Sequence, residues 1–235
     1  ETAQMNKYKK LLSLLNPKPG DKILEIGCGW GGFAEFVGKN YDIKMDCITI
    51  SKKQFDYASK RIFKNGLNEK INIKLKDYRD VGDKYNSIAS IEMIEAVGKN
   101  YLSSYFNTIK SNLSNNGRAA IQAITIDDNL FERYKTKQDF IQKYIFPGGF
   151  LPSKKSIFNL SSSKGLSIER YDSYGFHYSN TLKLWRDEFL NKWDQISKQG
   201  FDLNFKRMWN FYLSYCEAGF KSKNIDLIQF SLQNR

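Results

Sequence analysis

Short apolar runs alternate with segments of helical periodicity through the first half of the chain. The apolar runs predict five strands, at residues 22–26, 43–50, 71–77, 85–92 and 117–126. Apolar residues spaced three and four positions apart predict helices at residues 3–16, 32–39, 51–64 and 101–113. Because strands that alternate with helices form parallel sheets, the pattern predicts an α/β fold with a doubly wound parallel sheet.

The regular alternation ends after residue 126. Residues 127–160, with a Pro-Gly-Gly turn, predict a helical insertion long enough to act as a lid. A strand near 166–173, two helices and a closing strand at 225–232 are expected to follow within one domain, 1–235. The two helices carry apolar stripes typical of a core face: Leu182, Trp185, Phe189 and Trp193, then Phe205, Trp209, Tyr212, Cys216 and Phe220.

Length and cysteine usage favour a folded domain in a reducing compartment. A chain of 235 residues, 41% of them hydrophobic, can bury one sizeable core. The three cysteines show no CxxC spacing, so neither a disulfide framework nor a metal site is expected. This cysteine usage favours a reducing cytoplasm. We recognise no signal peptide and no apolar run near the roughly 18 residues of a membrane span. Because the chain begins with Glu1 rather than Met, a missing N-terminal segment is expected.

The charge balance is strongly basic. Lys and Arg number 37 against 25 Asp and Glu, which gives a formal net charge of +12. Such a surplus predicts attraction to a polyanion, either nucleic acid or an anionic membrane surface. The alternative is a lysine-rich composition whose charge is spread over solvated faces. The basic residues are dispersed, and no block resembles a nucleic-acid-binding arm.

The first predicted strand leads into a glycine-dense turn, LEIGCGWGGF at residues 24–33. In an open α/β sheet this turn lies at the switch point, and its glycines lack the Cβ atoms that would hold a ligand away from the backbone. A dinucleotide site would have G-x-G-x-x-G and an acidic residue about 20 positions on. Here the pattern is E-x-G-x-G-x-G-G, and the second strand has no carboxylate at its tip. With Glu25, this favours S-adenosylmethionine, which class I methyltransferases bind, over NAD.

Further blocks of sequence make the assignment more specific. ITISKKQFDYASKRI, LKDYRDV, SIEMIEAVGKNYLSSYF and YIFPGGFLPS follow the glycine turn in order. In these blocks and in its C-terminal region, the chain resembles the cyclopropane-fatty-acid synthase family and its mycolic-acid-modifying relatives. The resemblance covers nearly the whole chain from residue 2. It implies the class I methyltransferase fold, with a seven-stranded sheet and a helical lid after the fifth strand.

The resemblance also implies which residues hold S-adenosylmethionine. Gly27 and Gly29 would face its methionine part, whereas Thr49, Ile50 and Gln54 match the motif that holds the ribose. The remaining positions, next to the adenine or near the cofactor at the end of the fourth strand, are Asp77, Tyr78, Arg79, Ile91 and Glu92.

The implied chemistry requires a base. An unactivated cis double bond attacks the sulfonium methyl group, which leaves a carbocation in the acyl chain, and a proton must then leave. The site therefore needs a dry apolar tunnel, aromatic faces and a held base. In the family that base is a bound bicarbonate. The resemblance places its holders at Glu95, Tyr178, Gln122 and the backbone of Ile124, with a cysteine expected before Glu1, where a Tyr/Ser segment that contacts the cofactor would also lie.

Two of these positions depart from the family pattern. Gln122 stands where a histidine is usual, and Glu92 stands where some members carry a small residue. An amide donates a hydrogen bond to an anion but takes up no proton. This favours an anion-holding role for Gln122 over a proton relay.

Several of these side chains also have plainer interpretations. Ser51 and Gln54 have capping-box spacing, with Ser51 as the N-cap and the Gln54 side chain reaching back to the Ser51 amide. Glu95 has the position of a carboxylate that stabilises a helix N-terminus. His177, the only histidine, is expected to be a surface or structural residue rather than a base, and Cys28 a small buried residue.

The expected activity is S-adenosylmethionine-dependent transfer of a methyl or methylene group to the cis double bond of unsaturated phospholipid acyl chains. The product is a cyclopropane or a methylene/methyl-branched chain. The expected partner is an anionic membrane surface, with the enzyme peripheral on the inner face of the membrane, no nucleic acid, and a homodimer allowed. Two alternatives stay open: a class I methyltransferase for a small molecule or nucleic acid, and a non-catalytic S-adenosylmethionine-binding protein.

Overall fold

The computed structural model describes residues 1–234. Its strands are β1 (Lys22–Ile26), β2 (Lys44–Thr49), β3 (Ile71–Leu75), β4 (Tyr85–Ile91), β5 (Leu113–Ile126), β6 (Leu166–Ser173) and β7 (Ile225–Asn234). Its helices are α1 (Thr2–Leu15), α2 (Gly32–Asn40), α3 (Lys52–Lys64), α4 (Ile94–Val97), α5 (Leu102–Asn112), α6 (Asp128–Tyr134), α7 (Lys154–Ser163), α8 (Gly175–Asn191), α9 (Trp193–Ser197) and α10 (Leu203–Lys221). Short 3₁₀ turns at Tyr78–Asp80 and Lys99–Tyr101 and a π-helical turn at Ile141–Ile145 complete the set.

The seven strands form one mixed sheet in the order β3-β2-β1-β4-β5-β7-β6. β1 pairs in parallel with β2 and β4, β2 with β3, and β4 with β5. The chain leaves β1 toward one edge of the sheet and later returns to β4 on its other side. The carboxyl ends of β1 and β4 are therefore the switch point of the fold. The predicted doubly wound α/β sheet is confirmed, although it is mixed rather than fully parallel.

Most elements begin and end within a few residues of the positions predicted from sequence. β5 is longer than expected, because its pairing with β4 starts at Leu113 and shifts register between Tyr85 and Ser87. The last residue of the apolar stripe predicted for the first C-terminal helix lies beyond the end of that helix. α8 ends at Asn191, so Trp193 belongs to α9, and Trp185 is 53% exposed rather than in the core.

The chain divides into two compact units. The first unit comprises residues 1–123, 155–172 and those from 229 on, and the second comprises residues 124–154 and 173–228. α7 thus lies almost entirely in the first unit, so only part of the expected insertion 127–160 belongs to the second. Most of the basic surplus of the sequence lies in the first unit.

The first unit is built around apolar side chains from α1, α2 and the strands. α1 buries Leu11, Leu12 and Leu15 in this core. The helix ends because Asn16 adopts the left-handed conformation (φ 48°), its N–H bonds the carbonyl of Leu12, and Pro17 cannot continue the helix. α1 therefore packs close to the strands that carry the glycine turn.

The second unit is built on the pair α8 and α10. Their buried residues Leu182, Leu213 and Phe220 form one cluster with Leu227 of β7. The buried carboxylate of Glu217 lies 2.7 Å from Arg186 Nη1, so α10 and α8 are joined by an ion pair as well as by apolar packing. Within residues 1–234, no helix has the length and apolar character needed to cross a bilayer.

Candidate active site

The glycine turn lies at the switch point and follows β1 directly. Gly27, Gly29 and Gly31 have φ values of 79°, 53° and 77°, a region that non-glycine residues avoid. A Cβ on Gly27 would lie 2.9 Å from Cγ of Met93, whereas a Cβ on Gly29 would meet no heavy atom within 4 Å. The turn therefore packs tightly at Gly27 and presents bare backbone to open space at Gly29.

Glu25 is buried directly before this turn, with 2% of its surface exposed. Burial raises the pKa of its carboxyl to about 8, and a hydrogen bond with Cys47 only partly offsets this effect. Its Oε2 has no hydrogen-bond partner among residues 1–234. A buried carboxyl oxygen of this kind is a good acceptor for a donor that enters the glycine turn.

The cysteines near the turn are not reactive thiols. Cys28 is buried, as predicted, and burial raises its pKa to about 12. Burial also raises the pKa of Cys47, and the neighbouring charge of Glu25 adds to this effect. Both thiols stay protonated at neutral pH and serve as small packing residues.

The predicted ribose residues are joined at the end of β2. Thr49 Oγ1 donates to Gln54 Oε1 (2.8 Å) and accepts from the N–H of Ser51 (3.1 Å). Ser51 is the N-cap of α3, as predicted, because its hydroxyl accepts from the N–H of Gln54. The reciprocal half of the capping box is wrong, since Thr49 and not Gln54 satisfies the Ser51 amide. Ile50, 76% exposed, lies beside this network.

The predicted adenine residues occupy the turn after β3. Asp77 caps a 3₁₀ turn and pairs with Arg79 at 2.8 Å. Hydrogen bonding to Arg79 lowers the pKa of the Asp77 carboxyl. The Tyr78 ring packs edge-on against Tyr105, with centroids 5.9 Å apart. These contacts fix the orientation of Tyr78 at the carboxyl edge of the sheet.

Ile91 ends β4, and Glu92 follows with a φ of 51°, which is unusual for a residue other than glycine. The N–H of Glu92 donates to the carbonyl of Gln122 (2.9 Å), and Gln122 Nε2 donates to Glu92 Oε1 (2.5 Å). Gln122 is fully buried on β5, opposite Ile91 in the register. The two residues that depart from the expected pattern are thus bonded to each other.

The other predicted anion holders lie on separate elements. Glu95 lies in the first turn of the four-residue helix α4. Ile124 and Tyr178 belong to the second unit, where both pack against the cluster of Leu182, Leu213, Phe220 and Leu227. The Tyr178 ring lies 5.1 Å from that of Phe220. His177 is exposed, which fits the surface role expected of it.

Sequence reasoning missed Gln229 and Lys7. Gln229 Nε2 donates to Gln122 Oε1 (2.8 Å) and to the carbonyl of Lys7 (3.4 Å). Burial lowers the pKa of Lys7, and the charge of Glu92 opposes that effect. The available signal was a single amide in the apolar run of β7, LIQFSL, because a buried polar side chain in a strand needs a partner.

Nearly the whole chain is similar to known proteins. The mycolic acid cyclopropane synthetase family model matches residues 1–230. The chain is 39% identical over 232 residues to tuberculostearic acid methyltransferase UfaA1 of Mycobacterium tuberculosis, covering 98% of this chain and 54% of that protein. It is 36% identical to the cyclopropane-fatty-acyl-phospholipid synthase of Escherichia coli K12, covering 97% and 57%. The chain thus spans about half the length of the curated relatives that it matches.

A solved structure extends the likeness to the fold. The mycolic acid cyclopropane synthase CmaA1, complexed with SAH and CTAB, matches with a TM-score of 0.89 and 26% identity, covering 99% of this chain and 84% of that one. The predicted class I methyltransferase fold is therefore confirmed.

Proposed function

The chain belongs to the mycolic acid cyclopropane synthetase family, and on that premise we propose that it transfers a methyl or methylene group from S-adenosylmethionine to the cis double bond of unsaturated phospholipid acyl chains. The observation that carries the proposal is the glycine turn at the switch point, with a buried carboxyl before it and the Thr49–Gln54 pair at the end of the next strand. This donor and acceptor set fits a nucleoside joined to an amino acid.

The residues present fit S-adenosylmethionine. Gly29 leaves backbone open where a bulkier residue would put a Cβ, and Glu25 supplies an acceptor oxygen without a partner among the described residues. Gly27 and Gly29 would hold the methionine part, Thr49, Ile50 and Gln54 the ribose. The adenine side would be bounded by Asp77, Tyr78 and Arg79, and Ile91 and Glu92 would lie beside the cofactor. When bound, the sulfonium supplies an electrophilic methyl group.

We assign four residues to hold an anion, bicarbonate, which would supply a base for the proton lost from the substrate. They are Glu95, Gln122, the backbone of Ile124 and Tyr178. Toward the anion, Gln122 can only donate a hydrogen bond from its Nε2, because an amide does not titrate at neutral pH. Position 122 therefore holds the anion without accepting a proton, and the carboxylate of Glu95 would be the titratable side chain beside it.

The product can be a cyclopropane or a methylene/methyl-branched chain, depending on which carbon loses its proton. Gln122 is compatible with both products. The similarity to UfaA1, named a tuberculostearic acid methyltransferase, supports the branched product. The similarity to the Escherichia coli synthase supports the cyclopropane.

The membrane side of the proposal rests on charge. Most of the basic surplus lies in the first unit, where α3 exposes Lys53, Lys60 and Lys64 together with Phe63, 74% exposed. Such a face suits anionic headgroups, which attract each nearby lysine by roughly 1 kcal/mol. We propose a cytoplasmic enzyme that docks on the inner face of the membrane and acts as a monomer or a homodimer.

The direct test is lipid mass spectrometry. The protein incubated with S-adenosylmethionine and a monounsaturated phospholipid should add about 14 mass units, one CH₂, to the lipid. NMR of the product then distinguishes a ring from a methylene group. No mass gain on any unsaturated lipid, with cofactor bound, would favour a non-catalytic binding protein, and transfer to a small molecule or nucleic acid would favour another methyltransferase class.

Glu95→Gln tests the anion site. The variant should bind S-adenosylmethionine as the unmodified protein does, because Glu95 is not assigned to the cofactor, and it should lose turnover by about 100-fold or more. Isothermal titration with S-adenosylhomocysteine measures the first property and lipid mass spectrometry the second. Full activity of the variant would remove Glu95 from the mechanism.

A further inference from the structure

A chain of hydrogen-bonded polar groups links β7 to the end of β4 within the first unit. Gln229 Nε2 donates to Gln122 Oε1 at 2.8 Å, and Gln122 Nε2 donates to Glu92 Oε1 at 2.5 Å. Gln122 is 0% and Gln229 2% exposed. Two buried amides therefore form a relay of hydrogen bonds that ends at the partly exposed carboxylate of Glu92.

The carboxylate determines which way both amides point. An ionised carboxylate only accepts hydrogen bonds, so Gln122 must turn its NH₂ group toward Glu92. Its Oε1 then faces Gln229, and that residue must present its own NH₂ group in turn. The order of donors is set from the Glu92 end of the relay.

This orientation leaves one polar atom of Gln229 unsatisfied. Its Oε1 is buried and accepts no hydrogen bond from any residue between 1 and 234. Its Nε2 reaches a second acceptor, the carbonyl of Lys7, only at 3.4 Å. Since a buried acceptor without a donor is unfavourable, the demand of the Glu92–Gln122 pair decides the orientation.

Glu92 is itself held in an unusual conformation. Its φ of 51° is costly for a residue with a Cβ, and its N–H is bonded to the carbonyl of Gln122. Both the backbone and the side chain of Glu92 are thus tied to the same residue of β5. A non-glycine residue in such a backbone conformation indicates that its side chain has a functional role.

We infer that Glu92 and Gln229 are positioning residues, which fix the Gln122 amide so that it presents N–H rather than C=O to the reaction site. The inference rests on the proposed function, in which Gln122 holds an anion. The amide NH₂ carries two hydrogens, and Glu92 takes one of them. A flipped amide would turn its carbonyl oxygen to the same place and repel the anion.

The test reverses the relay. In Gln229→Glu, carboxylates at both ends compete for one NH₂ group, so the variant should melt several degrees lower at pH 8. In the double variant Glu92→Gln with Gln229→Glu, the relay can form again in the opposite direction. Its melting temperature should lie above that of Gln229→Glu, while the Gln122 amide is flipped.

Orientation is read directly by NMR. Nuclear Overhauser contacts from the Gln122 side-chain NH₂ should go to the side chain of residue 92 in the unmodified protein and to that of residue 229 in the double variant. At equal affinity for S-adenosylhomocysteine, turnover of the double variant should be at least tenfold below that of Glu92→Gln. Glu92→Gln is the baseline because both variants lack the carboxylate beside the cofactor, so they differ only at residue 229.

Gln233→Glu is the matched control. It makes the same chemical change on the same side of β7, four residues from Gln229, and should leave melting temperature and turnover close to those of the unmodified protein. If the double variant keeps the turnover of Glu92→Gln with the amide flipped, orientation is irrelevant and the inference is wrong. It is equally wrong if the amide contacts stay on residue 92. An unmodified protein that turns over no lipid contradicts the proposed function, and the NMR contacts still decide the relay.

Discussion

At the scale of single residues, the site combines groups whose burial changes their chemistry. Glu25 is the clearest case, since burial raises its pKa to about 8 whereas an unfolded chain has a glutamate pKa of about 4.3. A raised carboxyl pKa means that the folded state favours the protonated form. Its contribution to stability is therefore complete below about pH 4.3 and is lost as the pH rises through 8.

Glu25→Gln tests this dependence, because glutamine mimics the protonated carboxyl at every pH. The melting temperature of the unmodified protein should fall relative to that of Glu25→Gln as the pH rises from 5 to 9. Differential scanning fluorimetry without cofactor measures both. Glu35→Gln is the control. Burial raises the pKa of Glu35, but Lys39 and Arg61 together lower it by more, so the pKa lies below its usual range. Its difference from the unmodified protein should stay flat over that interval, and the same flat profile for Glu25→Gln would contradict a buried, protonated carboxyl.

Contacts between neighbouring residues could be predicted from the sequence, whereas contacts between distant residues could not. The glycine turn and the Ser51 cap were predictable, because both depend on residues within a few positions of each other. The bond between Gln122 and Gln229 joins residues 107 positions apart, and nothing local in either strand indicates its partner. Likewise, the capping-box spacing predicted that Gln54 would accept from the Ser51 N–H. The hydroxyl of Thr49 accepts from it instead, because Thr49 lies only two residues away at the end of β2.

Among the elements, the start of α8 is hydrogen-bonded to Asp226 of β7 in addition to its apolar packing. Asp226 Oδ1 accepts from the N–H of Gly175 (3.0 Å), and its Oδ2 accepts from the hydroxyl of Ser173 (2.5 Å). A carboxylate at the first helical N–H also complements the helix dipole. A Cβ on Gly175 would lie 2.5 Å from Asp226 Oδ1, so only glycine permits the approach. This contact sets the start of the helix that carries Tyr178.

Gly175→Ala should separate the two elements. The added methyl group must push against Asp226, and such overpacking costs about 1–3 kcal/mol. Urea denaturation should show this loss, and turnover should fall because Tyr178 lies one turn along the displaced helix. Gly82→Ala makes the same change where a Cβ meets no heavy atom within 4 Å and should be nearly neutral. Equal stability of the two variants would show that the approach of Asp226 to Gly175 is not close in solution.

Elements also differ in how well their ends follow from sequence. α1 ends as predicted, because Asn16 and Pro17 act locally. β5 was predicted four residues too short, because the polar residues Ser114, Asn115 and Asn116 gave no strand pattern yet lie in the strand. The register shift opposite Tyr85 accommodates them, and that depends on the partner strand rather than on β5 itself.

At the scale of the whole molecule, net charge says little until the structure shows where the lysines are. Many are paired with a neighbouring acid, as Lys183 is with Asp187 (3.1 Å) and Lys192 with Glu188 (2.5 Å) on α8 and its C-terminal end. On α3, by contrast, Lys53 and Lys60 are exposed and form no ion pair within the described chain. Only charges of the second kind remain available to an anionic surface.

The membrane proposal can therefore be tested with two double variants that lose the same amount of positive charge. Lys53→Gln with Lys60→Gln should weaken binding to vesicles that contain anionic phospholipid by roughly 2 kcal/mol, or about 30-fold, at about 1 kcal/mol per lysine. Lys183→Gln with Lys192→Gln removes the same charge from paired lysines and should weaken binding much less.

Binding of the unmodified protein should fall as salt rises from 50 to 500 mM, because the attraction is screened over roughly 10 Å at 0.1 M. Vesicle flotation measures all three, with zwitterionic vesicles as the reference surface. Equal losses in the two double variants would mean that total charge drives docking and that α3 has no special part in it, whereas binding that ignores salt would remove electrostatics from the proposal altogether.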